Sequence, residues 1–170
     1  MKKLIVITGL PGVGKSTVAE GIARVLSFPV FSVDPIESAI LQSGITRSFE
    51  TGLAAYVVAE RLAAEQLKLG ISVIIDAVSG VQEAWDMWRG LSATYDARLI
   101  VIECVLAEEI HRQRIERRVR GLHGIPEVTW ADIEKRKLEY LPWDKEHLLL
   151  DTSGARESVI EKAVDYVNNF

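Results

Sequence analysis

Short aliphatic and β-branched runs alternate along this chain with longer stretches in which apolar residues recur at helical spacing. Five runs predict strands: Leu4 to Thr8, Pro29 to Val33, Val73 to Asp76, Arg98 to Val105 and His147 to Asp151. Each is nearly continuously apolar, the pattern of a strand covered on both faces of a parallel sheet. Helical patterns run from Lys15 to Leu26, Ser48 to Leu69, Val81 to Tyr95, Ala107 to Arg120, Thr129 to Leu141 and Ala155 to Val167. In the second of these, Leu53, Tyr56, Val57 and Leu67 are expected along one side. In the third, Trp85, Trp88 and Leu91 share a register that predicts core packing. Gly121, Gly124 and Pro126 interrupt any regular element from Gly121 to Glu127, which reads as a hinge or mobile loop. The alternation of strand and helix predicts an α/β fold, a parallel sheet between helical layers.

Composition narrows the class. The chain has 170 residues, 48% hydrophobic and 26% charged, which suits one globular domain over residues 1–170. Lys and Arg number 20 against 24 Asp and Glu, a net charge of −4. That balance argues against a general nucleic-acid coat or a polybasic membrane binder. Cys104 is the only cysteine, so a disulfide within the chain and a multi-cysteine zinc site are excluded, and a cytoplasmic setting is expected. No stretch approaches the length of a membrane span. No partner is written in these numbers, and the oligomeric state stays open.

One segment carries specific chemistry. Gly9-Leu10-Pro11-Gly12-Val13-Gly14-Lys15-Ser16-Thr17 fits the phosphate-binding pattern G-x-x-x-x-G-K-[ST] throughout. It follows the first predicted strand and opens a helix, the context the mechanism needs. Glycines let successive backbone N–H groups turn toward phosphate oxygens, and the helix start adds positive potential there. The expected binding set is Gly9, Pro11, Gly12, Val13, Gly14, Lys15, Ser16 and Thr17. Lys15 would reach the β- and γ-phosphates of ATP, and the Ser16 hydroxyl would ligate Mg²⁺.

Absences sort the possible P-loop chemistries. Ile74-Ile75-Asp76 is followed by Ala77, so the Glu that activates water in many hydrolases is missing. Asp151-Thr152-Ser153-Gly154 spells D-x-x-G but follows the last strand, and no N-K-x-D occurs. Both facts favour transfer to a bound acceptor over hydrolysis. Asp34 ends the second predicted strand on the P-loop side of a parallel sheet, where a carboxylate could take the proton of an attacking hydroxyl. The same residue, before Pro35, also fits a helix N-cap. Asp76 ends the third strand on the same edge and could serve Mg²⁺ or the acceptor. Arg114 and Arg118, four apart on the strongly charged helix, are expected to share a face and to act as an arginine lid over the triphosphate. Trp130 and Trp143 find no place in this reading.

On these residues the chain resembles the small P-loop kinases often described as AAA-type ATPases or predicted kinases. Their relatives include chloramphenicol phosphotransferase, zeta toxins and the kinase domain of polynucleotide kinase. The features that carry the resemblance are Gly9 to Thr17, Asp34, Asp76, Arg114 to Arg118, Gly124 to Asp132 and Tyr140 to Trp143. The resemblance implies a P-loop αβα sandwich with a five-stranded parallel sheet in the order 2-3-1-4-5. It also implies Asp34 as general base, a mobile arginine lid over residues 107–128, and the Asp151 to Gly154 loop beside adenine. Polynucleotide kinases and zeta toxins typically carry an Arg three residues after the base; this chain has Glu37. Asp34, Glu37 and Glu50 are therefore expected to form an acidic pocket suited to a neutral or cationic acceptor. Arg47 could stand in for the missing arginine.

The expectation is an ATP- and Mg²⁺-dependent kinase acting on a hydroxyl of a small molecule, with Lys15, Asp34, Arg114 and Arg118 at the chemistry and Ser16 and Asp76 at the metal. Two alternatives stay open: a 5′-hydroxyl polynucleotide or nucleotide kinase, which net charge and Glu37 disfavour, and an ATP-sensing module without turnover.

Overall fold

A computed structural model describes residues 1–170. Five strands form one sheet: β1 (Lys3–Thr8), β2 (Val30–Ser32), β3 (Val73–Asp76), β4 (Arg98–Val105) and β5 (Leu148–Asp151). Their order is β2-β3-β1-β4-β5 and every neighbouring pair is parallel. Seven helices complete the fold: α1 (Lys15–Leu26), α2 (Val33–Gln42), α3 (Phe49–Lys68), α4 (Gln82–Thr94), α5 (Glu108–Arg117), α6 (Trp130–Glu139) and α7 (Arg156–Asn168). The α/β class, the sheet order and the strand positions agree with the expectation to within a residue or two.

The sheet separates two apolar cores. On one face, Leu4, Val6, Val73, Ile75 and Val101 pack with α3, Trp85, Trp88 and Trp143. On the other, Ile5, Ile7, Ile74, Ile100 and Ile102 pack with α1 and α7. Alternate residues of one strand feed opposite cores, which is why β1 and β3 are apolar at every position but their ends. Both indoles find polar partners, Trp85 Nε1–H donating to the Leu141 carbonyl and Trp88 Nε1–H to the Ser79 hydroxyl. Trp143, unplaced from sequence, packs tilted against Trp85 at 4.7 Å, beneath the Arg89 guanidinium.

Three local expectations need correction. The buried stripe of α3 is Ala55, Ala59, Ala63, Ala64 and Leu67, while Leu53 and Val57 are about half exposed. Small side chains let the helix axis approach the sheet, so the larger residues turn outward. Asp34 is not an N-cap: α2 begins at Val33, Ser32 takes the cap position, and Asp34 lies in the first turn. The charged helix ends at Arg117, not Arg120, because the backbone turns extended at Arg118. That break swings Arg118 and Arg120 back over the sheet edge, which a continued helix would not do.

No helix is long and apolar enough to cross a membrane.

Candidate active site

The C-terminal edge of the sheet holds a cleft of about 280 Å³. It opens where β1 gives way to the loop from Gly9 to Gly14. Gly9 has φ +127°, and a Cβ there would overlap the Cys104 carbonyl of β4. Only glycine lets the loop leave the strand so close to its neighbour. Gly12 and Gly14 are also left-handed, and Gly14 starts α1 without any side-chain cap. The first amides of α1 are thus left facing the cleft, with the positive end of the helix dipole behind them.

The cleft is lined by Pro11, Gly12, Gly14, Lys15, Ser16 and Thr17 from the loop and by Asp34, Asp76, Arg114 and Arg118 from elsewhere. Gly9 and Val13, the other two expected contacts, lie beneath it: Gly9 at the strand exit and Val13 buried in the core behind α1. Lys15 Nζ donates to the Leu10 carbonyl at 3.0 Å, folding back along its own loop. Burial lowers the Lys15 pKa, and the carboxylates of Asp76 and Asp34 pull it back up. Asp76 ends β3 and accepts from the Ser32 hydroxyl at 3.0 Å, a contact set by the β2–β3 register.

Arg114 reaches the cleft from α5 and donates to the Thr152 carbonyl at 2.9 Å. The Thr152 hydroxyl in turn donates to the Val13 carbonyl at 2.5 Å. The loop after β5 therefore braces both the phosphate loop and the candidate lid arginine. Thr152 was not singled out from sequence, although the stretch around it was. Arg118 lies half-buried, its pKa lowered by burial and by the neighbouring Arg120.

Two further residues join the site: Arg120, read from sequence only as one of the charged helix's arginines, and His111, which had no assigned role. Arg120 Nη1 donates to Asp34 Oδ2 at 2.6 Å. The turn carrying it is tied down by Glu127, which accepts from the backbone N–H groups of Arg120 and Gly121. His111, on α5, is buried, and its Nε2–H donates to the Pro11 carbonyl at 2.7 Å. A carbonyl can only accept, so this contact fixes where the ring carries its proton. Trp130, also unplaced from sequence, meets His111 edge-on at 5.4 Å.

The expected acidic pocket does not form. Glu37 is buried, accepts from the Thr51 hydroxyl at 3.2 Å and pairs with Arg47 at 3.6 Å. Arg47 is thereby spent on Glu37, and Asp34 gives one carboxylate oxygen, Oδ2, to Arg120. Glu50 lies exposed at the start of α3 and lines no part of the cleft. The reason is that α2 and α3 pack against each other, which turns Glu37 into their shared interface.

The donor set suits a hard cation. Ser16 offers a hydroxyl at the helix start and Asp76 a carboxylate, both oxygen ligands in the same cleft. No cluster of three or more His, Cys, Asp or Glu side chains forms a separate metal centre.

Comparison with known proteins gives the site a context. The AAA domain family matches residues 4–137. Uncharacterized proteins of Mycobacterium tuberculosis and Mycobacterium bovis are 28% identical over 95% of this chain. The chain spans about a third of the length of these curated relatives, 34%. Among solved structures, a protein of Chloroflexus aurantiacus aligns over 97% of this chain and 98% of its own, with TM-score 0.79 and 22% identity. The APS kinase CysC of Mycobacterium tuberculosis, in complex with AMPPNP and APS, aligns over 98% of both chains (TM-score 0.74, 19% identity). Kti12 of Chaetomium thermophilum, in complex with ADP-AlF3, covers 98% of this chain and 97% of its own (TM-score 0.74, 18% identity). These structures share the fold of this chain.

Proposed function

The chain belongs to the AAA domain family, and from that membership and the contents of the cleft we propose that it is an ATP- and Mg²⁺-dependent kinase, transferring the γ-phosphoryl group to a hydroxyl of a small-molecule acceptor. The observation that carries the reading is the meeting of Lys15, Asp34, Asp76, Arg114 and Arg118 around one phosphate loop. Two of the aligned structures hold a nucleotide or its analogue, AMPPNP in APS kinase and ADP-AlF3 in Kti12, which favours the same ligand class here.

In this reading the loop amides and Lys15 hold the phosphates. Ser16 and Asp76 would hold Mg²⁺, which when bound neutralises charge on the phosphate oxygens. Asp34 accepts the proton of the acceptor hydroxyl as its oxygen bonds to the γ-phosphorus. The bond from that phosphorus to the bridging oxygen breaks, and ADP leaves with the electron pair. Arg114 and Arg118 face the charge that spreads over the transferring group. Residues 107–128 act as the lid, and Thr152 keeps Arg114 aimed. An ATP donor and a single unpaired cysteine, Cys104, suit a cytoplasmic home.

The test is ADP release against an acceptor panel, with wild type and Asp34→Asn run together. Expected is stimulation by one acceptor class, lost by about 10²- to 10⁴-fold in Asp34→Asn while ATP still binds. ATP binding without stimulation by any class would favour a sensing module instead. Equal rates in the two proteins would remove Asp34 as the base.

A further inference from the structure

A second depression of about 470 Å³ adjoins the phosphate cleft. Tyr56, Val78, Val81, Lys135, Arg136 and Tyr140 line it, and Val78 lines the cleft as well. The loop after β3 is therefore a wall common to both spaces. That loop is firmly built. Ser79 sits at φ +47°, its N–H donates to the Tyr56 hydroxyl, and its own hydroxyl accepts from Trp88. A Cβ on Gly80 would overlap the Tyr140 ring, and the Gly80 carbonyl accepts the Leu141 N–H at 2.9 Å. The end of α6 is thus fastened to the loop, so the groove has fixed walls. Left-handed backbone at a non-glycine residue costs energy that the surrounding contacts must hold in place, and it concentrates where ligands bind.

The groove carries two carboxylates, Asp132 and Glu139, against two cations, Lys135 and Arg136, but they are not equally available. Asp132 is engaged in capping α6, accepting from the Thr129 N–H and hydroxyl. Lys135 and Arg136 enter no ion pair with the protein. Glu139 is the one remaining carboxylate on the lining. Tyr56 spends its oxygen lone pair on Ser79, so its hydroxyl proton remains available. Burial raises the Tyr56 pKa; the Asp34 and Asp76 carboxylates add to the rise and Arg136 opposes it.

We propose that this groove is the acceptor subsite, and that it takes an acceptor bearing a carboxylate or phosphate group beside the hydroxyl to be phosphorylated. Arg136, with Lys135, holds the anion, Tyr56 donates along the acceptor body, and the hydroxyl is delivered past Val78 toward Asp34. This rests on the kinase reading and names its substrate class. It reverses the charge expected from the sequence, because Glu37 is buried away and the free cations of α6 face the opening in its place. A guanidinium suits either anion, since both present paired oxygens to its fork.

The test saturates the protein with Mg²⁺ and AMPPNP, so that the phosphate cleft is filled, and titrates it calorimetrically. The probes share one skeleton: galactose, galactosamine, galactonate and galactose 6-phosphate, with a 5′-hydroxyl oligonucleotide alongside. Expected is binding of galactonate or the sugar phosphate at least about tenfold tighter than of galactose, with the stronger arm naming the anion. Arg136→Gln should erase that preference, and its AMPPNP titration reports that the variant is folded. Equal or tighter binding of galactose or galactosamine overturns the proposal. So do failure of both anions to bind, a preference that survives Arg136→Gln, and binding of the oligonucleotide alone. ADP release with ATP is then measured on the bound probe. An anion that binds through Arg136 without releasing ADP refutes the kinase reading and leaves the charge of the groove standing.

Discussion

Arg120 holds Asp34 at 2.6 Å across 86 residues of sequence, joining the candidate lid to the first turn of α2. The carboxylate is 43% exposed, so solvent screens the pair and its worth is modest. A double-mutant cycle of Arg120→Gln and Asp34→Asn, read by urea unfolding, should give a coupling of about 0.5–1 kcal/mol. In Arg120→Gln the segment from Arg118 to Val128 should be cleaved several-fold faster by thermolysin, whose apolar sites there the substitution leaves intact. Unchanged cleavage would mean that Glu127, which anchors the same turn, is the sufficient tie.

Gly9→Ala strains the backbone and meets the Cys104 carbonyl. The expected cost is about 1–3 kcal/mol, with nucleotide binding weakened beyond what the stability loss explains. Urea midpoints and nucleotide titration of the same preparation check both halves. Gly44, left-handed but with open space around it, is the control: the steric part of the cost should be absent there.

Thr152→Val keeps the shape and removes the hydroxyl that donates to Val13. The Val13 carbonyl then loses a buried partner, at about 1–3 kcal/mol. Because the Thr152 hydroxyl also accepts from Arg114 Nη1 at 3.5 Å, nucleotide affinity should fall with stability. Affinity equal to wild type in isothermal titration would show that the Arg114 contact stands on the backbone alone.

Burial lowers the pKa of His111 below its ordinary value of 6.5, against the opposing Pro11 carbonyl. The folded protein therefore keeps this ring neutral where the unfolded chain already takes up a proton. Its contribution to stability is complete above the ordinary histidine value and is lost as pH falls through the lowered folded value. Wild type should lose stability from pH 7 downward more steeply than His111→Gln, by denaturant unfolding at matched pH. Parallel pH profiles would remove His111 as the source.

The sheet and its functional edge were legible because buried parallel strands are written as unbroken apolar runs. Val73 to Asp76 and Arg98 to Val105 could be bounded to the residue. Lys15, Asp34, Asp76, Arg114 and Arg118 were legible as members of one edge because parallel topology sends every strand end to the same side. What escaped were contacts made by chance of packing rather than by period. Arg120 was legible only as one of the arginines of the charged helix, and nothing in the spacing of Thr152 or His111 marks them. Each acts on a backbone group or side chain that lies 38 to 139 residues away. The stripe of α3 misled because large apolar residues outweigh alanine in any periodicity, while close approach to a sheet selects alanine. The acidic pocket misled because the partner that buries Glu37, Thr51 on α3, is set by helix packing.

The order of the sheet also governs when the nucleotide loop can exist. β1 pairs with β3 and β4, and β2 pairs with β3, so the first 72 residues contain two strands that never touch each other. During synthesis the motif from Gly9 to Thr17 emerges before β3, and its strand has no hydrogen-bonded neighbour until β3 leaves the ribosome. The bracing threonine after β5 arrives later still. The phosphate motif is thus made before the strands that order it, and a chain stopped before Val73 holds the whole motif with no sheet to carry it.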